Sequence, residues 1–262
     1  MIGKCRSIVH GKNALNYCLQ KDKSEELFRC KLSGENADEI SREFHAIAMQ
    51  NGNCRNNVLR IELSPTIDDG QKLNNEQLAM ISKKFMCKMN LDKNRQWIAV
   101  AHRDRAHVHI HIIANRIDFS GNAFRDNHIS NRAAAAAEFV AKELGLTTAK
   151  EVQQLKQQQT LAEKEHIRTA HEIALHQVYS FDEYCNFMKR NGIEVALKYR
   201  RKTDTVEGMS FIYNGKRIKS SDIGKTFGYK NTMAAINKSV SKKIKYARQT
   251  IKRTASSRDF GI

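Results

Sequence analysis

The stretch that most limits the fold is residues 96–117, QWIAVAHRDRAHVHIHIIANRI. Gln96 to His102 and Val108 to Ile117 are strand-forming runs separated by a short polar turn, a pattern suited to an antiparallel hairpin. Period two puts His107, His109 and His111 on one pleat face and an apolar row on the other. Four of the chain's ten histidines fall between His102 and His111. A surface strand rarely spends three neighbouring positions on imidazole, so these rings look aimed at something they share.

The remaining pattern supplies partners for that hairpin. Met1 to Val9 reads as a short strand, and Lys12 to Gln20 begins a helix with Leu15 and Leu19 on one side and Tyr17 nearby. Residues 38–50 space Ile40, Phe44 and Ile47 for one buried helical stripe. Val58 to Ser64 alternates as a strand ended by Ser-Pro, and Asn74 to Met89 is a second amphipathic helix with Leu78, Ile81 and Phe85 inward. An alanine-rich helix covers Asn131 to Leu144. The predicted fold class is α+β, a central antiparallel sheet with helices packed on its faces. Three regions follow: a main domain over 1–147, a polar, Gln-rich connecting helix over 148–178, and a small basic α+β unit over 179–262.

Charge is distributed unevenly. The chain carries 45 Lys and Arg against 28 Asp and Glu, a formal +17, which favours polyanions, nucleic acid first. Residues 186–262 hold 19 Lys and Arg and 5 Asp and Glu, so +14 of that excess lies in the last region. Six cysteines without a CxxC pair read as reduced thiols, and no window approaches the roughly 20 apolar residues of a membrane span. The expectation is a cytoplasmic protein without membrane contact.

Two imidazoles at i and i+2 on one strand, with a third from its neighbour, make a three-nitrogen face around a cation, with open positions for substrate oxygens. His102, His109 and His111 form such a set, with His107 competing with His102 for the third place. The unused ring nitrogens need acceptors to fix their tautomers. Asp104 is spaced either to serve as that acceptor, or as a proton acceptor in catalysis, or simply to cap the hairpin turn. Tyr17, in GKNALNYCLQKDK, is a helix tyrosine flanked by Lys12, Lys21 and Lys23. On composition alone it reads as a packing residue, and a phenol of ordinary pKa about 10 would need nearby cations to attack anything.

Taken together, G-K-x-A-L-N-Y-x-L-Q-K-D-K, I-E-L-S-P and H-x-D-x-x-x-x-H-I-H-I-I-x-N-R-I-D resemble MobA-like relaxases. These are mobilization nucleases of the His-hydrophobic-His (HUH) endonuclease superfamily, and the likeness extends to those of Bacteroides-type mobile elements. It covers roughly residues 1–145. The resemblance implies nicking of one strand at an origin of transfer, a 5′-phosphotyrosine link on Tyr17, and Mg²⁺ or Mn²⁺ held by His102, His109 and His111. Asp104 matches the family's acidic residue, Ser64 falls in a motif near the DNA, and Asn115 and Arg116 match the polar pair ending the histidine strand. His107 is an extra histidine, and the chain is short for such an enzyme.

Further DNA contacts are expected from Arg95, Arg103, Arg105, Arg125 and Arg132 around the hairpin. Lys198, Arg200, Arg201, Lys202, Lys216, Arg217 and Lys219 of the basic unit are placed to hold the duplex arm of an origin hairpin. Tyr199, Phe211 and Tyr213 are candidates for base stacking or for the core of that unit. The implied partners are single-stranded DNA, an accessory mobilization protein and a type IV secretion coupling protein. The competing readings are a rolling-circle replication initiator or single-tyrosine transposase, a non-catalytic metal-containing nucleic-acid-binding protein, and a metal hydrolase that uses bound water.

Overall fold

The computed structural model describes residues 1–9, 11–103 and 107–256. They form two compact units, Met1–Gln154 and Leu155–Ile262. The elements of the first are β1 (Ile2–Ile8), α1 (Gly11–Leu19), β2 (Ser24–Cys30), α2 (Ala37–Ala48), β3 (Val58–Ser64), α3 (Ile67–Lys72), α4 (Asn75–Lys88), β4 (Trp97–His102), β5 (His109–Asn115) and α5 (Ile129–Glu143). Its five strands pair antiparallel in the order β1-β3-β5-β4-β2, so β5 runs through the centre.

Both faces of this sheet are covered, by different helices. Ile110, Ile112 and Ala114 of β5 join Leu59, Ile61 and Leu63 of β3 in a core closed by Leu78, Ile81 and Phe85 of α4 and by Ala133, Ala137 and Val140 of α5. The alanine run of α5 has a steric reason. A Cβ on Gly3 of β1 would stand 2.6 Å from Ala137 Cβ and 2.8 Å from the Ala133 carbonyl, so helix and strand approach closely only with small residues at the contact. On the other face Val58, Ile98, Val100 and Ile113 pack against Ala14, Leu15 and Cys18 of α1 and Ile40 and Phe44 of α2. The histidine row is therefore continued by Ile113 into a second core instead of standing as a purely polar face.

Helix starts follow the local chemistry. Asn36 caps α2 by accepting from the Asp38 and Glu39 amides, and Asn74 and Gln77 form a reciprocal capping box on α4. In this unit β2 and the short α3 go beyond the sequence expectation. The pairing of β2 with β4 shifts register between Glu26 and Phe28. Such a bulge breaks the period-two alternation by which a strand is read from sequence.

Helix α6 (Ala149–Gln177) is continuous across the region expected as a connector, and from Leu155 onward it belongs to the second unit. That unit also contains α7 (Phe181–Arg190), the antiparallel sheet β6 (Glu194–Tyr199), β7 (Val206–Tyr213) and β8 (Lys216–Lys219), then α8 (Ser220–Ile223) and the basic α9 (Tyr229–Ser256). Its core joins Ile167, Ala170 and Ala174 of α6 to Tyr184, Met188, Phe211 and Ile236. Among the described residues, no helix is long and apolar enough to cross a membrane.

Candidate active site

The pairing registers bring the site together. His102 on β4 lies opposite His109 on β5, Val100 opposite His111, and Glu62 on β3 opposite His111. Directly opposed residues of an antiparallel pair share a face, so His102, His109 and His111 emerge together, beyond the end of the core formed with α1 and α2. The His102 and His111 ring centroids are 4.4 Å apart, and those of His109 and His111 6.3 Å. All three rings are buried.

Tyr17 reaches this cluster because of how α1 is seated. Gly11, Ala14, Leu15 and Cys18 form its buried stripe, leaving Tyr17 on the flank with 41% of its surface exposed. A Cβ on Gly11 would stand 2.7 Å from Val58 Cγ2, so the glycine lets the start of the helix sit tight on β3. The Tyr17 ring then lies 5.6 Å from His102 and 5.7 Å from His111, edge-on to both. Lys21 Nζ donates to the Tyr17 hydroxyl at 3.1 Å, and the Arg60 guanidinium carbon stands 5.3 Å from the ring centre. The phenol is thus an accessible oxygen among cations. The neighbouring Cys18 thiol is pushed up to about 12 by burial, which disqualifies it as the nucleophile.

His111 is held in the neutral state that ligation requires. Burial pushes His111 down to about 3, with His102, Arg60, His109 and Lys21 adding in the same direction. His102 Nε2 lies 2.9 Å from the Cys18 carbonyl. A carbonyl only accepts, so Nε2 carries the hydrogen and Nδ1 keeps a lone pair. The acceptor is one of the last carbonyls of α1, which a helix leaves without an internal donor. His109 Nδ1 meets Ser64 Oγ at 2.9 Å and Glu62 Oε1 at 3.8 Å.

Among the described residues, no three His, Cys, Asp or Glu side chains stand as a ready metal-binding group. The chemistry of the set nevertheless fits a cation. The Nδ1 atoms of His102 and His111 are buried with no hydrogen-bond partner among the described residues. With metal–nitrogen bonds of about 2.1 Å, rings sharing one ion have centroids about 5 Å apart. The observed 4.4 and 6.3 Å bracket that separation. His107 lies beside His109, 4.2 Å between centroids.

Of the other expected site residues, Ser64 joins the cluster through His109. Asp104 and Arg105 lie outside the described residues. Asn115 and Arg116 stand at the end of the histidine strand, away from the cluster. Asn115 is the last residue of β5 and Arg116 follows it, and at about 3.3 Å per residue Arg116 is about 16 Å along the chain from His111. Asn115 is fully buried: its amide donates to the Phe44 carbonyl at 3.0 Å and to Gln96 Oε1 at 3.1 Å, and its oxygen accepts from the Ile117 amide at 3.0 Å. The Arg116 guanidinium is consumed by the Phe124 and Asn56 carbonyls and by Asp126. Both are engaged inside the protein, with its backbone and with the Gln96 and Asp126 side chains.

Arg95 is likewise buried, bonded to the Arg116 carbonyl and paired with Asp118. Arg103 is tied to the Leu73 carbonyl, Asn75 and Glu25. Arg125 is exposed, and Arg132 is exposed and stacked on Phe124. In the second unit Arg200, Arg201 and Lys202 stand exposed in the β6–β7 turn, while Lys198 pairs with Glu207, Lys216 with the buried Glu163, and Arg217 donates to Ser210. Lys219 is exposed. Phe211 is core, Tyr213 stacks on His166, and Tyr199 is exposed. Sequence reasoning missed Arg60 and Glu62. The alternation of VLRIELS puts them on the face of Ser64, but only the β3–β5 register shows that this is the histidine face.

A family model described as Relaxase: MobA/VirD2-like, nuclease domain, matches residues 17–146. No curated protein and no solved structure matches the chain.

Proposed function

The chain belongs to the relaxase family through this MobA/VirD2-like nuclease domain and is a DNA-nicking endonuclease; from that premise we propose that it nicks one strand at an origin of transfer by transesterification onto Tyr17. The observation that carries the reading is the Tyr17 ring 5.6 and 5.7 Å from His102 and His111, with Lys21 at its hydroxyl. Relaxases act on single-stranded DNA and are typically metal-dependent. Here His102, His109 and His111 would hold Mg²⁺ or Mn²⁺. Such an ion would supply Lewis-acid charge at the scissile phosphate.

The chain's own residues do the rest. The hydrogen bond to the Cys18 carbonyl keeps His102 in its ligating tautomer, and Ser64 and Glu62 orient His109. Tyr17 Oη forms the new P–O bond in line with the bond to the 3′ oxygen, which breaks. The phenol proton is passed on and the departing oxygen ends as a 3′ hydroxyl; Asp104 is the proposed relay. Lys21 and Arg60 offset the negative charge that grows at the phenol oxygen and the phosphate. One phosphodiester replaces another, so the step reverses without ATP. The exposed cations Arg125 and Arg132, and those of the β6–β7 turn and β8, are assigned to flanking DNA phosphates. An accessory mobilization protein and a secretion coupling protein would receive the piloted strand in the cytoplasm.

The test is denaturing electrophoresis after incubation with origin-derived single strands and Mn²⁺ or Mg²⁺. Wild type should carry the downstream fragment linked covalently through its 5′ phosphate and release the upstream fragment with a 3′ hydroxyl, and Tyr17→Phe should carry none while retaining DNA affinity. A cut made by Tyr17→Phe, with no protein–DNA link in wild type, would instead establish attack by water.

A further inference from the structure

At the outer edge of the same sheet, a cleft of about 270 Å³ is lined by Lys4, Cys5, Arg6, Arg60, Glu62 and Ser130. Its charge is three cations against one carboxylate, and Glu62 is directed toward His109, 3.8 Å from Nδ1. Register places Lys4 opposite Glu62, and Arg6 opposite Arg60. These residues therefore share the face of His109 and His111. Lys4 and Arg6 are exposed, and among the described residues neither they nor Arg60 forms an ion pair. Edge strands often carry lysine to discourage pairing with other chains. Arg60 is on an interior strand, where that reason does not apply, yet it joins the same cleft and stands over the Tyr17 ring.

We infer that Lys4, Arg6 and Arg60 form a subsite for backbone phosphates of the single strand next to the scissile one, with Arg60 linking it to Tyr17. The inference rests on the nicking reading for the identity of the ligand. Its chemistry is that of a phosphodiester: two guanidinium groups and an ammonium, set on rigid strands, meet successive anionic oxygens without reading bases.

For a single strand, the slope of log affinity against log salt falls by about 0.7 for each phosphate the protein ceases to neutralise. Lys4→Gln/Arg6→Gln should flatten the slope by about 1.4 and weaken binding about 25-fold near 0.1 M salt, measured by anisotropy of a labelled single strand in chelator. Both side chains stand exposed on an edge strand, so the core is untouched. The charge-matched control, Lys31→Gln/Lys93→Gln, lies at the opposite end of β2 and β4 and should keep the wild-type slope. An unchanged slope in the cleft variant, or an equal loss in the control, overturns the subsite. Because this binding needs no chemistry, a wild type that forms no covalent link but shows the predicted slope change refutes nicking and leaves the cleft standing. A wild type that links, with no slope change, does the reverse.

Discussion

Asn115→Ala separates what the family motif implies from what the fold does with the residue. The side chain is fully buried and makes three hydrogen bonds of 3.0, 3.1 and 3.0 Å. Truncation strands the Ile117 amide hydrogen outright and leaves Gln96 Oε1 without its donor, while the Phe44 carbonyl lies within α2 and loses a supplementary one. A buried polar group left without a partner costs about 1–3 kcal/mol. Two such groups and a small void sum to about 2–4 kcal/mol once Gln96 relaxes. For a unit of this size each kcal/mol moves Tm by about 2–4 °C, so the expected fall is about 4–16 °C. The chain's single tryptophan, Trp97, is buried in the core of this unit, and its fluorescence reports this transition without a contribution from the second unit. Single-strand affinity, measured well below the lowered midpoint, should stay within about twofold of wild type, because a change confined to the interior leaves the binding groups in place. A variant that melts with wild type but binds DNA tenfold more weakly would refute the reasoning and return Asn115 to the DNA interface.

Two further outcomes test other parts of the molecule. Ser64→Ala removes the hydroxyl that meets His109 Nδ1 at 2.9 Å, and should raise the metal concentration for half-maximal nicking about 10- to 100-fold with little change at saturating metal; an unaltered metal titration would reject Ser64 as the residue that orients His109. In the second unit, burial pushes His171 down to about 4, and its Nδ1 shares a 2.7 Å hydrogen bond with Tyr184. The unfolded chain then binds this proton first, so the unit should lose stability as pH falls from about 6.5 to about 4, by at most about 3 kcal/mol, and lose no more to this group below that. Hydrogen exchange of the α7 amides measures it, and protection that holds constant through that window would contradict the assignment.

Local pattern carried a large share of this molecule. Period two in residues 96–117 is enough to determine a hairpin with His109 and His111 on one face, and the 3.6-residue stripes of α2 and α4 determine their buried sides, because each property depends on neighbours a few residues away. The same holds for Tyr17, which the buried stripe of α1 leaves on a flank. Strand β2 escaped because its bulge scrambles the alternation, a local fault in a local signal. Other features depend on which strands pair and in what register, and only tertiary structure decided them. Arg60 and Glu62 meet the histidines through β3–β5 pairing, and Tyr17 meets them because Gly11 seats α1 on β3. Asn115 and Arg116 share a motif with the histidines, but extended backbone carries them to the far end of the strand, where internal hydrogen bonds make them braces. Contiguity in the chain specifies which face a side chain takes, and the packing of distant segments specifies what it meets there.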